Sequence, residues 1–82
     1  MRGETIREID ITMGHTKLIR YFDETLKENR FKITQTTQVF GMPSERTVID
    51  VEDFTVALES WQGIIDWEQD IQQIRINTTN QL

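Results

Sequence analysis

The chain has 82 residues, no cysteine and a formal net charge of −5. That length suits one domain with a thin core, and 37% hydrophobic with 28% charged residues is the balance of a folded chain. The lack of thiols excludes a thiolate zinc site and a disulfide scaffold and fits a reducing compartment, so a cytoplasmic protein is expected; no apolar run approaches the length of a membrane span.

Residues 6–12 end in the alternating run Ile9-Asp10-Ile11-Thr12, which predicts a short half-buried strand. Met13-Gly14-His15 then turns. Thr16 is a candidate N-cap, and Leu18, Ile19, Phe22 and Leu26 recur at helical spacing, so a helix is expected from Thr16 to about Asn29. Arg20–Glu24 and Asp23–Lys27 would be i,i+4 pairs on its solvent side. Phe31 to Phe40 has the composition of a strand, with threonine and glutamine at its centre. A strand that polar on both faces is expected at an edge or partly exposed. Residues 41–45, with Gly41 and Pro43, form a turn, and Arg46 to Val51 return as a third strand.

Two apolar stripes follow. Phe54, Leu58, Trp61 and Ile65 form the first, and Ile64, Trp67, Ile71 and Ile74 the second. At 100° per residue they lie roughly 80–160° apart, more than one straight helix buries against one surface. With Gly63 between them, a kinked or split helix is expected; the alternative makes residues 73–77 a last strand. The order is therefore β-α-β-β-α, an α+β two-layer sandwich over residues 1–77, with a frayed polar tail at 78–82.

No motif commits the chain to a chemistry. His15, the lone histidine, lies between a predicted strand and a predicted helix, where a small enzyme would place a catalytic residue. It has no nucleophile at a recognisable spacing. Residues 13–17 hold Gly, Thr and Lys but lack the second glycine and the residue order of a phosphate loop. Asp66, Glu68 and Asp70 have the spacing of a calcium loop, yet Ile71 stands where that loop needs glycine. No metal, cofactor or catalytic residue is assigned.

The charge is lopsided. Residues 42–82 hold two bases and eight acids, and no base falls between Asp50 and Asp70. Glu52, Glu59, Asp66 and Asp70 share one helix face. That half repels phosphates, so neither nucleic acid nor a membrane is an expected partner. An acidic inhibitor that mimics nucleic acid is an alternative, although the stripe is sparse beside the charge density of a duplex. Trp61 is assigned to the core. Trp67, Ile71 and Ile74 then form a surface patch for a protein partner or a second protomer. The expected function is a small acidic protein-binding or regulatory accessory domain that is not an enzyme.

Overall fold

The computed structural model describes residues 3–80, with side chains as far as Ile76. Four strands are followed by one helix: β1 (Gly3–Ile11), β2 (Gly14–Asp23), β3 (Glu28–Val39), β4 (Met42–Val51) and α1 (Phe54–Asn80). The strands form one antiparallel sheet in the order β1-β2-β3-β4, a meander in which each strand pairs with its neighbours in sequence.

The expected β-α-β-β-α order is thus wrong, and the error lies in residues 16–29. Leu18, Phe22 and Leu26 are spaced by four, a multiple of the strand period as well as about one helical turn. Thr16, Ile19, Tyr21 and Phe22 favour a pleated surface, and the segment is β2. Asp23 ends it: its Oδ1 accepts the amides of Thr25 and Leu26, both at 2.9 Å, and so bends the chain out of the strand. Lys27 closes the turn at φ 57°, and Leu26 is left exposed on it.

β3 also departs from expectation. It is an interior strand, with Thr34 and Gln35 buried between β2 and β4. Ladder hydrogen bonds on both sides satisfy its backbone, which lets a polar sequence lie inside the sheet. The β3–β4 turn is only Phe40-Gly41, both at positive φ, the geometry of a two-residue hairpin loop; Pro43 falls inside β4. Phe40 projects fully into solvent.

The sheet buries one face. Across the strands, Leu18 pairs with Ile33 and Ile33 with Ile49, which sets a row of branched side chains under the helix. Ala57 and Trp61 of α1 sit on that row, and Leu18, Ile33 and Ala57 are fully buried. Trp61 is in the core, as its stripe predicts. Phe31 contacts Phe54 at a ring-centroid distance of 4.9 Å, which anchors the start of the helix over β3. Asp53 caps that start: its Oδ1 accepts the Thr55 amide at 2.8 Å, and its carbonyl accepts the Ala57 amide at 3.1 Å.

The helix is unbroken through Gly63, and no strand forms over residues 73–77. Neither a split helix nor a final strand is needed, because the second apolar stripe is not all buried. Trp67 is 46% and Ile74 63% exposed. Of the tail expected to fray at 78–82, residues 78–80 continue α1, while residues 81–82 and the side chains of 77–80 lie outside the described residues. No described helix is long and apolar enough to cross a membrane.

Candidate functional site

A single helix is about 10–12 Å wide and cannot cover four strands set about 4.8 Å apart. α1 packs mainly on β3 and β4, leaves β1 exposed along almost its whole length, and leaves a gap at the end of the sheet near the β3–β4 hairpin. The result is a groove of about 520 Å³ between α1 and the β3–β4 hairpin. Met13, Val48, Ile49, Ile64 and Trp67 supply its apolar walls. Its polar floor is closed internally: Arg46 donates from Nε and Nη2 to the buried Gln35 Oε1, at 3.1 and 2.7 Å.

The groove runs into a second bare surface. Thr12, in the β1–β2 turn, donates its amide and hydroxyl to the Glu68 carboxylate at 3.1 and 2.9 Å. Hydrogen bonds from Gln72 and Thr12 outweigh desolvation and hold the Glu68 carboxyl below its ordinary pKa, so it is ionised at neutral pH. This contact marks where the turn meets the helix. Beyond it, α1 continues from Gln69 to Asn80, roughly 18 Å at 1.5 Å per residue. The radius of gyration, 15.3 Å against about 12 Å for a compact chain of this length, reflects that extension.

Of the residues expected to meet a partner, Trp67 lies in the groove wall, Ile71 is half-buried and Ile74 is exposed. They are brought together on one helix flank. The sequence could not show that Val48 and Met13 stand opposite, because their position depends on the meander. Val48 is the extra residue of a β-bulge between the Ile33–Ile49 and Thr34–Thr47 pairs, and it is exposed.

Glu59, Asp66 and Asp70 share the outward face of α1. Glu52 does not join them. It precedes the helix, and its carboxyl is raised above the ordinary value by hydrogen bonding to Glu28 and by that neighbour's charge. The acidic face is therefore three residues rather than four.

His15 is in β2, on the sheet face away from α1. Asp10 Oδ1 lies 2.5 Å from its Nδ1, and Glu8 Oε2 lies 3.0 Å from its Nε2. The bond to Asp10, then that to Glu8, raise its pKa. Both ring nitrogens are engaged by carboxylates, so the imidazole links β1 to β2. No group of side chains suited to a metal ion occurs among the described residues.

The same outer face carries a second polar cluster that sequence reading missed. The Tyr21 hydroxyl donates to Asp50, Arg30 donates to Asp50 at 2.8 Å and to Glu28 at 3.0 Å, and Lys32 lies 5.0 Å from the Tyr21 ring centroid. Burial opposes ionisation of Asp50, but the Tyr21 hydroxyl and the Arg30 guanidinium outweigh it and lower its pKa. Register alone brings these residues together, since Tyr21 pairs with Arg30 and Lys32 with Asp50. The cluster uses its own charges internally and fastens β2, β3 and β4 on their solvent side. Comparison of the chain with protein families, with curated proteins and with solved structures finds no match in any of the three.

Proposed function

We propose that this chain is a small, non-enzymatic, protein-binding accessory domain of the cytoplasm, and that it takes its partner on the flank of α1 formed by Trp67, Ile71 and Ile74. The observation that carries this reading is apolar surface shared between the groove near the β3–β4 hairpin and the second half of α1: Trp67 lines the groove and is exposed, and Ile74 is exposed beyond it. Tryptophan and branched side chains that can be desolvated together are what a protein interface uses as anchors. The cytoplasmic setting is supported by the absence of cysteine in so small a chain.

The test is affinity capture, at physiological salt, with the unaltered chain and with Trp67→Ala/Ile71→Ala as bait. Circular dichroism checks that both are folded. A protein recovered stoichiometrically by the unaltered chain and lost with the double variant supports the reading. Equal recovery by both moves binding to another face and refutes it.

A further inference from the structure

The seam Ile64-Trp67-Ile71-Ile74 follows i, i+3, i+7, i+10, the alternating three-and-four spacing of a two-helix interface. Extended backward it passes through Ser60 and Ala57, where it rests on the sheet. Forward of Glu68 the same seam leaves the sheet, and its exposed positions have no cover from this chain.

The chain exposes 6134 Å², whereas a compact monomer of 9.7 kDa exposes about 5,100 Å²; the excess goes with an elongated outline of 55 × 32 × 15 Å.

Resting on the binding reading above, we propose that the partner is a second copy of this chain, which lays the outer half of its own α1 antiparallel against that of the first. The orientation follows from the sheet. A parallel copy would drive its residues 54–67 into the sheet that underlies the first copy's seam. An antiparallel copy places its seam where the first sheet ends, and its own sheet beyond the first helix's end.

The arrangement is two-fold, so each contact occurs twice. Ile71 faces the second copy's Ile74, and Trp67 closes each end of the seam. This register brings Glu68 across from the second copy's Arg75 at the flanking positions, an opposite-charge pair that the two-fold repeats. Glu59 and Asp66 stay on the outer face, while Asp70 flanks the seam on the side opposite Glu68. Val39 and Met42 of the β3–β4 hairpin lie on the helix-side face of the sheet, by alternation from Ile33 and Gln35, and are exposed.

Edge pairing is the competing way to join two copies. β4 carries Pro43 and the Val48 bulge, and β1 is irregular between Thr5 and Arg7. Both features blunt sheet edges against further strands, which favours the helix seam.

Sedimentation equilibrium on the purified chain tests this. The unaltered chain is expected at twice its own mass, and Ile74→Asp at its own mass with its helix content retained. Glu68→Arg and Arg75→Glu, each alone, are expected to weaken association about tenfold at low salt, because both symmetry-related pairs turn from attractive to repulsive. An equimolar mixture of the two charge variants restores it, since each then meets its complement. A chain monomeric up to about 0.5 mM, far above a physiological working range, overturns the second copy while leaving the capture experiment to decide the binding reading. A Glu68→Arg chain that associates as well as the unaltered one, or a mixture that restores nothing, overturns the antiparallel register.

Discussion

Replacing Ile33 by alanine tests the assignment of the core. Ile33 is fully buried at the centre of the sheet, between Leu18 and Ile49 and beneath Ala57 and Trp61. The change removes three carbons, worth about 2.4 kcal/mol of transfer free energy at ~0.8 kcal/mol each. β2 and β4 hold the backbone of β3 on both sides, so the walls cannot close on the space. A cavity contribution raises the expected cost to about 4 kcal/mol. A chain of this length is stable by only about 4–12 kcal/mol, so the midpoint of thermal unfolding should fall by roughly 15–30 °C. Urea unfolding followed by tryptophan fluorescence gives the stability loss, and a temperature scan followed by circular dichroism gives the midpoint. Leu26→Ala is the control. A helix over residues 16–29 would make Leu26 a core position, whereas on the β2–β3 turn it is 55% exposed and should cost under about 1 kcal/mol. Similar losses for the two variants would refute the meander.

Gly63→Ala should stabilise the chain by about 0.5–1 kcal/mol, because a Cβ there meets nothing within 4 Å and α1 is continuous; a loss in thermal midpoint would count against a regular helix at that point. Gly14→Ala should cost at least about 2 kcal/mol in urea unfolding, since φ is +130° and a Cβ would lie 2.4 Å from the Thr36 carbonyl oxygen. Tyr21→Phe should cost about 1 kcal/mol in the same assay through loss of the bond to Asp50. The pKa of His15 is higher folded than unfolded, so its contribution is complete below the ordinary histidine value and is lost as pH rises through the folded one. His15→Gln should therefore flatten the fall in urea midpoint as pH rises above the ordinary histidine value, and an NMR titration of the ring should show the upward shift directly.

Where alternation and composition agreed, the strands were legible. β1, β3 and β4 lie close to the expected segments, and Trp61 falls on the buried stripe. β2 was not legible as a strand because its apolar spacing of four suits both periods. Its identity is set by pairing on both sides with β1 and β3, which a single stretch of sequence does not display. β3 was misplaced for a related reason: Thr34 and Gln35 read as exposed, yet the meander gives them neighbours on either side. The second stripe of α1 is apolar, as its spacing indicates, but it requires no break. A helix can carry two stripes when one of them is left uncovered. The clusters around His15 and Asp50 were invisible because strand register, rather than sequence proximity, assembles them.

The meander also bears on how fast the chain reaches this state. Each strand pairs with the next along the chain, and turns Thr12-Met13 and Phe40-Gly41 hold two residues each. Closing such short loops costs little entropy, so both hairpins can form before any distant contact. The helix needs the finished Leu18–Ile33–Ile49 row to dock on, so it packs last. Folding should then be quicker than in β proteins of similar size whose strands cross over. Substitutions at Trp61, whose packing forms late on this route, should speed unfolding more than they slow folding.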